Sequence, residues 1–244
     1  MDFFFNLRNK IDFALRSKLT WSPACRSESD LPKVDRALQT EFREFLDLWP
    51  GDLFRKLPNR PLVVADVGAR NFSFGPVLEA FFEENGVESE VHGIELDAHR
   101  RMADFRTRAA YGSFYAKRMR NGHFHAMDFL KWEKPLDVIF LLNPFVTSDP
   151  VLQWGLPLSV LSPQQIFVQC RKLVGNGWLI VSAPNEEEFE ISLNLARDVG
   201  FKVAKTTFWR AKSRGIQSKN RHGAALRLAT FSRKSGRLKE PPAL

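Results

Sequence analysis

Cysteine is almost absent from this chain. Its 244 residues hold two, Cys25 and Cys170, far apart and outside any metal-ligand spacing. A cysteine zinc site is therefore excluded, and the usage suits a reducing compartment. Cys170 falls in the amphipathic pattern IFVQCRKLV and reads as a buried structural thiol. Long apolar runs are missing too: none approaches the about 18 residues that a membrane span needs. The first segment, MDFFFNLRNKIDFALRSK, is apolar only in a stripe broken by charges. Without a long apolar core or a small-residue cleavage site it does not read as a signal peptide, and a cytoplasmic location is expected. No Ser-His-Asp or Cys-His set can be placed by spacing, and there is no internal repeat or low-complexity tract. Acid is missing from one long stretch. Lys202 to Lys239 carries twelve Lys or Arg and no Asp or Glu, in a chain of net charge +8. Arg100 to Arg120 holds seven basic residues and one acid, Asp104. Such stretches either attract polyanions or form a solvated basic face.

What is present is a nucleotide-binding pattern. Residues 62–71, LVVADVGARN, run as an apolar strand into Asp66, turn at Gly68, and lead to a helix starting near Phe74. VHGIELD is a second strand that ends in an acid, Glu95. A strand, a tight glycine turn, a helix and a strand ending in an acid make a βαβ unit suited to a cofactor carrying an adenosine.

Two helices are expected before this unit. Phe4, Leu7, Ile11 and Leu15 share one helical face; Val34, Leu38, Phe42, Phe45 and Trp49 share another. Asp30 or Ser29 is placed to cap the second. The first can lie on a membrane surface, flanked by Arg8, Lys10, Arg16 and Lys18. The more common use of such a stripe is docking on the domain's own sheet. Strands are then expected at 62–67, 91–95, 123–127, 136–142 and 177–183, alternating with helices at 74–85, 98–111 with an extension towards Arg120, 163–174 and 186–199. Strands at 202–208 and 224–231, joined by the polar WRAKSRGIQSKNRHG, read as a terminal hairpin. The expectation is a doubly wound α/β fold: a mostly parallel seven-stranded sheet with a C-terminal antiparallel hairpin and two N-terminal helices. The parts are an extension over 1–58, a Rossmann-like domain over 59–234 and a disordered tail over 235–244.

Over about residues 60–232 this order resembles the class I S-adenosylmethionine-dependent methyltransferases. A Rossmann dehydrogenase would continue with a sixth parallel strand, which sets the nicotinamide-dependent reading behind. The resemblance implies a cofactor, S-adenosylmethionine, with Asp66, Gly68, Ala69, Arg70 and Asn71 around its amino-acid part. It also implies Glu95 on the ribose diol, with Leu96 beside it, Asp128 and Phe129 on the adenine, and Asn143 among the cofactor contacts. Asp97 is the nearby competitor to Glu95 and is otherwise placed to cap the next helix. The chain departs from the family pattern by carrying Arg70 and Phe72 where further glycines are common.

On the acceptor side stand Asn143, Pro144 and Phe145, directly after the fourth strand, where open α/β sheets place ligands. They resemble a shortened form of the Asn/Asp-Pro-Pro-aromatic motif of amino methyltransferases, with the second proline missing, and Asn-Pro is also a turn signal. His123 and His125 alternate along a strand, without further ligands for a metal site. The expected activity is methyl transfer to an N or O nucleophile, with the acceptor unknown. The alternatives are an inactive basic binding module, an RNA or base N-methyltransferase, and an NAD(P)-dependent oxidoreductase. Arg210, Lys212, Arg214, Lys219 and Arg221 would supply contacts to a nucleic acid or another polyanion. Glu95→Ala is expected to weaken the cofactor and to leave folding nearly unaffected.

Overall fold

Leu62–Val67 (β1) is apolar on both faces except at Asp66, as a strand covered from both sides must be. Val138–Leu142 (β4) and Trp178–Ala183 (β5) follow the same rule; Ser89–Glu95 (β2) is buried from Val91 onward but carries polar Ser89, Glu90, His92 and Glu95, and Gly122–Ala126 (β3) is half-exposed. In the computed structural model, which describes residues 2–49, 57–210 and 225–233, these five strands pair in parallel in the order β3-β2-β1-β4-β5. Phe201–Arg210 (β6) and Ala225–Arg233 (β7) extend the sheet to seven strands, with β7 antiparallel to both β5 and β6. The segment joining them lies outside the described residues. With it lie Lys212, Arg214, Lys219 and Arg221, the side chain of Arg210, and the expected tail over 235–244.

Alternation along the strands divides the core in two. Leu62, Val64, Val138, Phe140, Trp178 and Ile180 face one layer, formed by Lys33–Leu46 (α2), Gly75–Glu84 (α3) and Arg108–Arg118 (α4). Ala65, Val67, Ile139, Leu141, Leu179 and Val181 face the other, where Pro163–Leu173 (α6) and Glu186–Asp198 (α7) pack. Cys170 is buried in that second layer.

Several sequence expectations are corrected. The helix expected over 98–111 begins only at Arg108. Residues 97–107 turn instead, because Asp97 is held by Arg16 and Arg100, and the Thr107 hydroxyl caps α4 by accepting from Ala110 N–H at 3.2 Å. Asp30 does not cap α2, whose N-cap is Pro32. Its carboxylate accepts from the amides of Arg26 and Ser27, closing the short turn before α2.

The first helix, Asp2–Lys18 (α1), does not bury its apolar stripe. It docks through its polar face. Asn9 Nδ2 donates to the carbonyls of Leu152 and Leu156, both at 3.1 Å, and Asn6 Oδ1 accepts from Leu158 N–H at 2.8 Å. Arg16 donates to Gly155 O at 2.9 Å. These contacts fix α1 to the segment around Ser148–Gln153 (α5), which arches beside the carboxyl ends of the strands.

Candidate active site

The sheet order reverses between β1 and β4, which puts a crevice outside their carboxyl ends. The β1–α3 turn forms one wall. Gly68, Arg70 and Phe72 all stand at positive φ, +76°, +53° and +62°. The loop thus keeps a glycine-like path although two of the three residues carry side chains, at a backbone cost of about 1–2 kcal/mol each. A methyl group on Gly68 would meet nothing within 4 Å, so this backbone is open to a ligand. Phe72 does not fill the crevice. Its ring is fully buried between α3 and β2, against Gly75 and Gly93.

Asp66 is buried at the end of β1, and its Oδ2 has no hydrogen-bond partner among the described residues. Burial pushes its carboxyl up to about 7, the Glu95 charge adds to the rise, and Arg70 opposes it.

The resulting pH dependence has a definite sign. An unfolded aspartate titrates near about 3.9. The native state therefore keeps a proton that the unfolded chain loses, and this contribution to stability is complete below about pH 4 and lost as pH rises through about 7. The span is about 4 kcal/mol. Asp66→Asn is expected to flatten this decline in denaturant melts taken across that window. Parallel profiles for the variant and the parent would refute the assignment.

Glu95 ends β2 with a side chain almost wholly out of solvent. Its Oε2 accepts from Arg70 N–H at 2.7 Å; its Oε1 accepts from Asp97 N–H at 2.8 Å and from Arg108 Nη1 at 3.2 Å. Burial raises the Glu95 carboxyl, opposed by Arg108 and the two amides; burial lowers the Arg108 guanidinium, opposed by Glu95 and Asp97. The expectation that Glu95 supports little of the fold is overturned: it ties the glycine turn, the 97–107 turn and α4 together. Asp97 is also buried and takes Arg16 at 3.1 Å, so it is a hub for arginines rather than a helix cap.

The other expected residues fall around these. Asn71 is buried, and its Nδ2 donates to Asp35 of α2 at 2.8 Å, an acceptor shared with Tyr115 Oη at 2.8 Å. Ala69 is buried in the core, and Leu96 is exposed beside Glu95. Asp128 follows β3 and caps the next turn, accepting from Leu130 N–H at 2.9 Å, while Phe129 packs in the core beneath. Asn143 follows β4 with φ +51°; its Oδ1 accepts from the Ser182 hydroxyl at 3.3 Å, and its N–H donates to Ser182 O at 3.0 Å. Pro144 and Phe145 are half-buried beyond it. His123 and His125 meet a third ring, His92, whose protonation burial and the other two histidines drive down to about 3. No group of side chains suited to a metal ion occurs among the described residues.

Trp154, just after α5, was not legible as a site residue. The Arg70 and Arg108 guanidinium groups lie 5.4 and 5.6 Å from its ring centroid, and Phe145 meets it edge-on at 6.1 Å. Arg100 donates to its carbonyl. The aromatic and three arginines thereby link the glycine-turn wall to the Asn143 wall. Only the fold brings residue 154 to residues 70 and 108; no local pattern marks it.

No protein-family model matches this chain, and no curated protein matches it in sequence. Solved structures do match it in shape. Magnesium protoporphyrin IX methyltransferase from Synechocystis PCC 6803, with bound S-adenosylmethionine, superposes with a TM-score of 0.51 over 91% of both chains at 13% identity. PH1948 from Pyrococcus horikoshii, described as a candidate RNA methyltransferase, gives 0.52 over 93% of this chain and 98% of its own at 15% identity. Geranyl diphosphate methyltransferase, in complex with GPP and sinefungin, gives 0.51 over 81% of this chain and 80% of its own at 13% identity. The fold is that of the class I, Rossmann-like S-adenosylmethionine-dependent methyltransferases. No helix among the described residues is long and apolar enough to cross a membrane.

Proposed function

We propose that this chain is an S-adenosylmethionine-dependent methyltransferase acting on an N or O nucleophile at the crevice between β1 and β4. The observation that carries the reading is the turn at Gly68: an open left-handed backbone above a buried, unpartnered carboxylate, flanked by the acid that ends β2. These residues fit the cofactor. The turn from Gly68 to Asn71, with Asp66, would hold its amino-acid part; Glu95 and Leu96 its ribose; Asp128 and Phe129 its adenine. A carboxylate offers about four lone-pair positions, and Glu95 uses three internally, so one remains for a ribose hydroxyl. The cofactor supplies an electrophilic methyl group on a sulfonium. The chain has to position the acceptor and keep water away, so no dedicated triad is required.

Asn143, Pro144 and Phe145 would orient the acceptor. Their support is position and strain: a strand end, a polar residue held in the left-handed region, and an aromatic ring against Trp154. Asn143→Gly keeps that backbone accessible and removes only the amide. It is expected to lower turnover by about tenfold or more while cofactor affinity stays within about twofold. An equal loss of cofactor binding would instead put Asn143 in the cofactor pocket.

A second reading, an inactive binding module on the same fold, is favoured by the internal engagement of Glu95 and by Arg70 and Phe72 in place of glycines. Calorimetry with S-adenosylmethionine, S-adenosylhomocysteine and NAD(P) separates the two. Heat from the first two supports the methyltransferase; silence from all supports the binding module; heat from NAD(P) alone overturns both. Labelled cofactor on a cell extract, split into RNA, protein and small molecules, then names the acceptor class. Salt-sensitive transfer to RNA would point to the basic residues from Arg210 to Arg221.

A further inference from the structure

Helix α1 is turned inside out for a surface helix. At about 100° per residue, Phe4, Leu7, Ile11 and Leu15 form one face, and Asn6, Asn9 and Arg16 the opposite one. The polar face is the docked one: Asn9 is 6% exposed with its amide on two carbonyls, and Arg16 reaches Asp97. The apolar face points outward, with Phe4 at 75% and Ile11 at 53% exposure. Rolling the helix to bury its stripe would orphan the Asn9 amide, the Leu158 N–H and the Arg16–Asp97 pair. The outward stripe is therefore built in.

A second segment lies beside it, where Leu15 and Leu19 line one cleft with Arg101. Arg101 donates to Phe105 O at 2.9 Å and to Trp21 O at 2.8 Å, so one guanidinium gathers two aromatic residues from distant parts of the chain. Trp21 is 74% and Phe105 71% exposed, and Phe105 sits at the tip of a tight turn with φ +66°. The turn's hydrogen bonds hold the Phe105 backbone in the left-handed region, and its ring stands out to solvent.

We propose that the face formed by α1, Trp21 and Phe105 docks this protein on an anionic lipid surface. Charge selects the occupant. Lys10 and Arg8 stand on the two margins of the stripe and Lys18 at its end, all exposed, in a chain of net charge +8. The acid on this helix nearest the stripe, Asp12, is paired with Arg8 at 3.6 Å. Aliphatic and aromatic residues edged by basic ones match the boundary between acyl chains and anionic headgroups. A second copy of the chain would bring the same basic margins face to face. The helix is too polar to cross a bilayer, so it lies in the plane of the interface. Its polar face holds the α5 segment that carries Trp154, so docking leaves the crevice intact.

Co-sedimentation of the full chain with vesicles tests this. Vesicles of phosphatidylcholine mixed with phosphatidylserine are expected to carry the protein down, more weakly in high salt, and pure phosphatidylcholine to carry less. Ile11→Asp combined with Leu15→Asp is expected to lower binding by at least about tenfold. Lys10→Glu with Lys18→Glu should lower it by about tenfold on the anionic vesicles only. All four positions are exposed, so unchanged melting curves confirm that the variants fold. Protein that stays in the supernatant with both vesicle types overturns the proposal. So do variants that sediment like the parent, and so does a dimer that Ile11→Asp dissociates in the absence of vesicle binding.

Discussion

Glu95→Ala is expected to cost about 3–5 kcal/mol of folding stability, the penalty for leaving one member of a buried ion pair without its partner. Arg108 is 7% exposed and packs against the Trp154 ring, so its charge cannot reach water when the carboxylate is removed. The amides of Arg70 and Asp97 lose their acceptor in the same step. Glu95→Gln keeps an acceptor for one amide and should lose less. Urea denaturation gives the numbers. A variant as stable as the parent would mean that Asp97, already 3.8 Å from Arg108, suffices to hold its charge. This result also bears on how any cofactor experiment is read. A loss of ligand affinity in Glu95→Ala reflects ribose contact only at a temperature where the variant is fully folded.

The second large effect is expected where Phe72 meets two glycines. A methyl group added at Gly75 would stand 2.6 Å from Phe72 Cζ, and one at Gly93 would press against the ring edge. Gly93→Ala should cost about 1–3 kcal/mol or more by overpacking a core without free volume. Phe72→Ala should cost about 3–5 kcal/mol through the cavity it leaves, less the relief of its left-handed backbone. Combining them should cost less than the sum by about 1–3 kcal/mol, because the new methyl group enters the space the ring vacated. Strict additivity in thermal or denaturant melts would show that the ring and the glycines do not share that space. The contact accounts for the departure from a glycine-rich turn: Gly75 and Gly93 leave the room that the Phe72 ring fills.

The strands and the two-layer core were legible because burial on both faces demands unbroken apolar runs, and LVVADV, VIFLL and WLIVSA satisfy it. Helix starts were less so. The start at Arg108 depends on Asp97 being drawn away by Arg16, a residue 81 positions earlier. The strand-end positions of Asp66, Glu95 and Asn143 follow from the alternation of elements, whereas their partners do not. Asn71 meets Asp35, Glu95 meets Arg108, and Arg70 meets Trp154 through long-range packing.

Periodicity alone determined that α1 is a helix with an apolar stripe and that the chain is a wound α/β sheet, since both rest on spacing along the backbone. Which face of α1 turns outward was decided only in three dimensions. An amphipathic pattern specifies two faces but not their surroundings, and here the buried side is the one where Asn6, Asn9 and Arg16 meet backbone groups of residues 152–158, the Leu158 N–H among them.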